Sequence, residues 1–427
     1  MSKKITIVSV GLRGDVQPLA ALGVALKGRG FDVQLIGPGR YADVVRGTGV
    51  VYSAVEPDPD ALLMTAGGQR LLGCGDNPVA FARWMRRVGG PAADRLFRGI
   101  SAVARPSDCV IHSPLAVPAQ SLAECWGAVS FAASFVPLRP TRHFSPSGLG
   151  RSLGAVGNVW SLRIAEQVIW QVFRRRVNAW RTGTLGLPPW PFGGPFGEWR
   201  RQSRPTLYCY SPSVLPAPPD WPSSEHVTGY WLFDTPAGWE PPGGLAEFLE
   251  VQGPPVVYVG FGSMLTDDPH HRHELVRGAL RQAGVRGVLL GDPGVTPSDD
   301  LVHVVPGVPH SWLFPRMAAV VHHGGASTVG AGLTAGVPTV VCPHFFDQPF
   351  WGSLVHELGV GPRPIPAPDL TVRNLAGAIV QAVNDRDMRR RAERLGHRLR
   401  AESGTEAACD IVERSLDRTR SRVALTS

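Results

Sequence analysis

The stretch from Val320 to Phe350, VVHHGGASTVGAGLTAGVPTVVCPHFFDQPF, combines a histidine pair, a glycine turn, small hydroxyls and an acid–amide pair. An apolar run turns through His322-His323-Gly324-Gly325 and enters a helix of small residues with Ser327 and Thr328 in its first turn. A second apolar run, Pro338 to Cys342, leads to Asp347-Gln348. A strand feeding a glycine turn and a helix N-terminus makes an anion site. The first N–H groups of the helix have no internal partner, the helix dipole favours negative charge, and glycines let a ligand approach the backbone. The expected anion is a diphosphate. A sugar attached to it would lie near Asp347 and Gln348, both able to bond hydroxyls.

These residues carry a resemblance. HHGGAST…AGVPTVV…DQ is similar to the donor-site signature of the family 1 nucleotide-sugar-dependent glycosyltransferases. GLRGDVQP, from Gly11 to Pro18, resembles the G-x-RGDVQP of one branch, which holds sterol glucosyltransferases and bacterial enzymes that glycosylate glycopeptide, polyketide and terpenoid natural products. The likeness covers nearly the whole chain and is weakest between about residues 60 and 200. It implies an α/β protein of GT-B fold, with two doubly wound parallel-sheet (Rossmann-like) domains facing a central cleft. It further implies inverting, metal-independent transfer of a hexose or deoxyhexose from a UDP- or dTDP-sugar to a hydroxyl of a hydrophobic small molecule. The nucleotide-sugar is then a co-substrate, and neither a cofactor nor a metal is expected.

The resemblance also assigns roles. Asp15 matches the family aspartate that takes the proton of the acceptor hydroxyl; the plainer alternative is that Asp15 caps a helix starting at Val16. Arg13 and Gly14 join the donor contacts, unless Arg13 is only a surface arginine. His323 and the N–H groups of Gly324, Gly325, Ala326, Ser327 and Thr328 hold the leaving diphosphate, where charge grows in the transition state, while His322 packs. Ser263, in FGSM, contacts the diphosphate from the other side. Val308 stands where the donor motif begins, beside Trp312, which either meets the base or belongs to the core. Asp347 and Gln348 read sugar hydroxyls or simply form a turn before Pro349. Three departures bear on donor identity: Ser327 replaces the glycine of HHGGAGT, Phe346 the glycine of PFFGDQ, and Leu12 a common Ser or Thr. The acceptor falls mainly to the N-terminal half, which is rich in tryptophan, with Trp84, Phe135, His344 and Phe346 as candidate walls.

Composition bounds the rest. A chain of 427 residues suits two domains. The formal charge of +8 is scattered and no nucleic-acid motif is present, so nucleic acid is not expected as a partner. A diphosphate substrate explains a mild positive excess. A helix from Val159 to Arg181, rich in Trp and Arg, offers the alternative of peripheral contact with an anionic membrane. Six scattered cysteines form no C-x-x-C and fit a reducing cytoplasm. Lys3-Lys4 with Ile5 to Val10 is too short for a signal peptide and leads straight into Gly-Leu-Arg-Gly-Asp, so it reads as a buried strand.

The elements that position these residues follow from periodicity. A strand from Lys4 to Val10, a helix from Val16 to Arg29 and a strand from Asp32 to Ile36 form a β-α-β unit, hence a parallel sheet. Cys109–Ile111, Val129–Ala132 and Leu207–Ser211 add strands. In the Trp/Arg helix, Leu162, Ala165, Ile169, Val172, Phe173, Val177 and Trp180 form the expected apolar stripe. Residues 1–234 make the acceptor domain, 235–244 (TPAGWEPPGG) a linker, 245–400 the nucleotide-sugar domain, and 401–427 a helical segment packing in part on the first domain. Two rival functions share this architecture. A nucleotide-sugar epimerase would turn over without acceptor, and a non-catalytic sugar-nucleotide or lipid-binding auxiliary protein would bind without turnover.

Overall fold

The computed structural model describes residues 2–63, 65, 68, 83–145, 152–235, 238–262, 269–292 and 298–426. The chain divides into two units, Met1–Leu232 with Ser403–Ser427, and Phe233–Glu402.

The first unit is built on a seven-stranded, all-parallel sheet. Its strands are β1 (Lys4–Val8), β2 (Asp32–Pro38), β3 (Val51–Val55), β4 (Cys109–His112), β5 (Val129–Ser134), β6 (Thr206–Tyr208) and β7 (Glu225–Val227). Their order is β3-β2-β1-β4-β5-β6-β7. The central strands are β-branched and buried on both faces, as a sheet covered by helices on both sides requires. The order reverses between β1 and β4, and that switch point opens a crevice at the carboxyl ends of the two strands. β1 ends at Val8, and helix α1 runs Arg13–Gly28, three residues earlier than the expected start at Val16. The turn between them holds Gly11 at φ 138°, a value L-residues rarely adopt.

Further helices of this unit are α2 (Gly90–Val103), α3 (Gln120–Trp126) and α4 (Gly154–Gly183). The apolar stripe of α4 differs from the expected one. Leu162, Trp170, Val177 and Trp180 are buried, whereas Ile169 is 57% exposed. Trp170 takes the inward place because its ring meets Trp190 and Phe196 and its Nε1 donates to the Phe192 carbonyl at 2.7 Å. Arg181 on the same face is fully buried. It donates to Ser121 Oγ, the Pro188 carbonyl and Glu124, and lies over Trp190.

The second unit repeats the plan with five parallel strands: β8 (Val256–Gly260), β9 (Arg286–Leu290), β10 (Val302–Val305), β11 (Ala319–His322) and β12 (Thr339–Val341), in the order β10-β9-β8-β11-β12. Its principal helices are α5 (Pro269–Ala283), α6 (Ala326–Ala335), α7 (Gln348–Glu357), α8 (Val372–Asn384) and α9 (Arg386–Ala401). The switch point lies between β8 and β11, where Gly260 pairs with His322, and His322 in turn pairs with Val341. At Ser403 the chain returns to the first unit. Its last helix, α10 (Gly404–Thr426), packs on α1, where Arg29 forms ion pairs with Glu406, Asp410 and Glu413.

Candidate active site

In the second unit, β11 delivers His322 and His323 to the carboxyl edge of the sheet. His322 is fully buried, and its Nδ1 accepts the Gly324 N–H at 2.9 Å. The residue expected only to pack therefore fixes the turn, and the Gly324 amide is already engaged. Gly324 itself sits at φ 93°, and a Cβ there would meet Val341 Cγ1 at 2.6 Å. Gly325 precedes the first residue of α6 and leaves room for the imidazole beside it, since a Cβ would stand 2.7 Å from His323 Nε2. On the other side a Cβ at Gly262 would lie 3.3 Å from His323 Cε1. His323 is thus held between two glycines. Burial pushes its pKa down to about 4, so it is neutral near pH 7 and donates a single N–H. Its Nδ1 is enclosed without a partner.

At the start of α6 the Thr328 and Val329 amides bond to the Gly325 carbonyl. Those of Gly325 and Ala326 have no partner among the described residues. They face the mouth of a helix whose dipole is positive there.

The loop after β12 closes the same edge. Gln348 is 5% exposed, and its Oε1 accepts the backbone N–H groups of His344 and Phe345 at 2.8 and 3.3 Å. That oxygen braces the loop. Asp347 accepts the Trp351 Nε1–H at 3.0 Å, and burial raises its carboxyl pKa to about 6. Phe346 adopts φ 56° with its ring 62% exposed. That backbone conformation strains any residue with a Cβ, which gives the glycine of the PFFGDQ pattern its physical reason. His344 Nδ1 donates to the Cys342 carbonyl at 3.1 Å, and burial pushes its pKa down to about 4. Val308 and Trp312 pack on a cluster of Tyr258, Leu313 and Phe314, and Trp312 also meets Trp239 and Arg316. Ser263 lies outside the described residues.

In the first unit Asp15 is the third residue of α1 and not the residue before it, which corrects the simple N-cap expectation. Its Oδ2 accepts the Leu12 N–H at 2.7 Å, and its carbonyl accepts from Ser9 Oγ at 3.0 Å. A Cβ on Gly11 would fall 2.1 Å from Oδ2, so glycine there is a condition of the carboxylate's position. Arg13 and Gly14 are exposed in the first turn of the same helix. Phe135 is buried just past β5. Trp84 is half-buried with its Nε1 enclosed.

Two residues escaped the sequence reading. His112, at the end of β4 opposite Val8, is fully buried and held neutral by burial, with a pKa of about 4. Its one sequence signal is its place at the close of an apolar run. Arg272, in the first turn of α5, sits against His344, and nothing in HHRH distinguishes it from a solvated arginine. Among the described residues no group of three or more His, Cys, Asp or Glu could hold a metal ion. Nor is any helix among them long and apolar enough to cross a membrane.

Comparison with known proteins gives three kinds of likeness. Residues 292–414 match the family model described as erythromycin biosynthesis protein CIII-like, C-terminal domain. The chain is 38% identical over 427 residues to O-mycaminosyltylonolide 6-deoxyallosyltransferase of Streptomyces fradiae, covering 96% of this chain and 97% of that one. It is 33% identical to sterol 3-beta-glucosyltransferase of Neosartorya fischeri over 97% of its own length, and spans 30% of that relative's length. Among solved structures, the glycosyltransferase of kitacinnamycin superposes with a TM-score of 0.69 at 23% identity, covering 97% of this chain and 100% of that one. The glycosyltransferase VinC in complex with dTDP superposes with a TM-score of 0.66 at 18% identity, covering 97% and 100%.

Proposed function

The chain belongs to the nucleotide-sugar-dependent glycosyltransferases related to sterol and natural-product glycosyltransferases, and from that premise we propose that it moves a hexose, a 6-deoxyhexose by preference, from a dTDP- or UDP-sugar to a hydroxyl of a hydrophobic natural product. The observation that carries the proposal is the helix mouth at Gly325–Ala326 with neutral His323 beside it. It lies in a chain that matches a 6-deoxyallosyltransferase from end to end.

In this mechanism the acceptor oxygen attacks the anomeric carbon as the bond from that carbon to the diphosphate oxygen breaks, and the configuration inverts. Asp15 takes the hydroxyl proton. A carboxylate is a weak base for an alcohol, so the proton moves late, as oxocarbenium character builds on the sugar. Charge gathering on the leaving diphosphate meets the His323 N–H, the free amides at the α6 mouth and the helix dipole. These donors are aligned before reaction, which lowers the barrier. Asp347 and Gln348 hold sugar hydroxyls, and the strained, exposed ring of Phe346 shapes the pocket.

Peripheral membrane contact from the cytoplasmic side is part of the same reading. On α4, Val156, Trp160, Ile164 and Val168 recur every fourth residue and are all exposed, with the Arg163 guanidinium over Trp160 at 5.6 Å. Such a stripe suits an interfacial helix. Flotation with anionic vesicles, weakened by Trp160→Ser with Ile164→Ser, checks this part; no flotation removes it.

Thermal unfolding against dTDP, UDP and GDP, followed by transfer with the sugar conjugate that binds, tests the main proposal. The midpoint rises with the cognate nucleotide by mass action. The rise is lost in His323→Ala and kept in Asp15→Asn. Sugar release or isomerisation without acceptor would favour the epimerase, and binding with no turnover on any acceptor the auxiliary protein. No shift with any nucleotide overturns the reading.

A further inference from the structure

Arg272 contrasts with four other enclosed arginines of this protein, although Arg204 is likewise half-buried, with its Nε on Gln202 and no ion pair among the described residues. Arg139, Arg181 and Arg200 end on Glu225, Glu124 and Glu166, and Arg286 ends on the carbonyls of Phe248, Val251 and Pro254. Arg272 is half-buried and has no ion pair among the described residues. Its guanidinium lies over the Phe261 ring, 5.0 Å from the centroid, and Nη1 approaches His344 Nε2 at 3.4 Å. Because His344 Nδ1 donates to the Cys342 carbonyl, its Nε2 carries the bare lone pair and accepts from Arg272. A neutral imidazole thus orients the guanidinium without cancelling its charge. Burial lowers the basicity of Arg272, and no described acid pairs with it, so the site holds a cation at a cost that a bound anion would recover.

The surroundings say which anion. Phe261 directly follows β8, His344 follows β12, and His323 follows β11, three strands adjacent in the sheet. Phe261 and His344 ring centroids are 6.2 Å apart, and Gly262 abuts His323. His344 belongs to the loop braced by Gln348, whose carbonyl oxygen would meet a Cβ on Gly324 at 3.2 Å. Arg272 therefore stands on the rim of the turn to which the proposed function assigns the diphosphate. The donors assigned there, a neutral histidine and backbone amides, bring partial charges only. A guanidinium brings a full charge and a planar fork of N–H groups matched to phosphate oxygens.

We infer that Arg272, seated by His344 and Phe261, is a further donor-site residue that grips the terminal phosphate of the nucleoside diphosphate. It thereby favours diphosphate over monophosphate and stabilises the leaving group. The inference rests on the donor-site reading above and adds a full charge to the partial charges which that reading assigns to the second unit.

Calorimetric titration of the full chain with dTDP, dTMP and inorganic pyrophosphate tests it, with UDP and UMP in parallel. Wild-type protein prefers diphosphate. Arg272→Gln weakens diphosphate binding by about tenfold to a hundredfold, the usual weight of a lost charge-assisted phosphate contact. It leaves monophosphate binding unchanged and the nucleotide-free unfolding midpoint unchanged or raised, because a cation held at a cost has been removed. Arg272→Lys recovers part of the loss. His344→Phe, which removes the seat and keeps the charge, lies between. Full diphosphate preference in Arg272→Gln overturns the inference while the donor site stands. Equal weakening of mono- and diphosphate binding, with a lowered midpoint, also overturns it, because a structural role predicts that pattern. A wild-type protein that binds no nucleotide overturns both readings together.

Discussion

Asp15 is asked to be a base and is also a brace, and the two roles separate by substitution. Its Oδ2 accepts the Leu12 N–H at 2.7 Å across the first turn of α1. In Asp15→Asn the amide oxygen can make the same bond, so only the charge is lost. A carboxylate in a helix's first turn contributes ~0.3–1 kcal/mol through the dipole. In Asp15→Ala the bond goes as well, adding ~0.5–1.5 kcal/mol. For a unit of this size each kcal/mol moves the midpoint by about 2–4 °C. Asparagine should therefore unfold within a few degrees of the wild type, and alanine somewhat lower. Catalysis should not follow that order. Both variants lose the proton acceptor, so kcat at saturating donor falls about 10²- to 10⁴-fold in each, while nucleotide binding stays intact. Gly11→Ala provides an independent arm, since its Cβ would collide with Oδ2 and displace a chemically intact carboxylate. It should lose kcat as well. Initial-rate transfer assays beside thermal unfolding measure all of this. An Asp15→Asn enzyme with nearly wild-type kcat would refute the base assignment and leave Asp15 as a helix-start brace.

Phe346→Gly relieves ~1–2 kcal/mol of left-handed backbone strain and gives back ~0.5–1 kcal/mol of unfolded-state entropy. Phe346→Ala keeps the strain and loses the ring, so denaturant titration should rank alanine below glycine; the reverse order would show that φ 56° at this position is not strained. Acid should destabilise the fold: His112, His323 and His344 are neutral when folded, each with its pKa pushed down to about 4, while the unfolded chain takes up those protons near 6.5. Their contribution is complete above the unfolded pKa and lost as pH falls from about 6.5 to 4, at up to ~3 kcal/mol per histidine. Asp347, raised to about 6, acts in the opposite sense over roughly the same range and offsets part of the loss. A midpoint that stays flat or rises between pH 6.5 and 4 would contradict this balance. Arg181→Ala removes a buried guanidinium that binds Glu124, Ser121 and a carbonyl, and should cost ~3–5 kcal/mol in chemical denaturation; a loss under ~1 kcal/mol would mean that its partners find water instead.

Much of the fold is legible in the chain because its causes are local. β-branched runs alternate with helical periods, so two parallel sheets follow from segments read one at a time. His322-His323-Gly324-Gly325 announces a strand, a turn and a helix mouth because glycine's backbone freedom and the orphan amides belong to adjacent residues. The glycine pattern at Phe346 likewise marks a position whose φ is positive. What the sequence could not decide depends on residues far apart. The choice of Trp170 over Ile169 for the inward face of α4 was made by Trp190 and Phe196, which arrive from a later loop and helix. Leu12 lacks the hydroxyl that usually marks a helix start, so the true beginning of α1 and the brace from Asp15 were hidden. The return of α10 to the first unit rests on Arg29 meeting three acids more than 370 residues away. Arg272 gains its meaning from His344, 72 residues downstream. Short-range patterns specify which elements form and where the chain turns; only the packed sheet decides which side chains share a strand edge, because that adjacency comes from strand order and not from spacing along the chain.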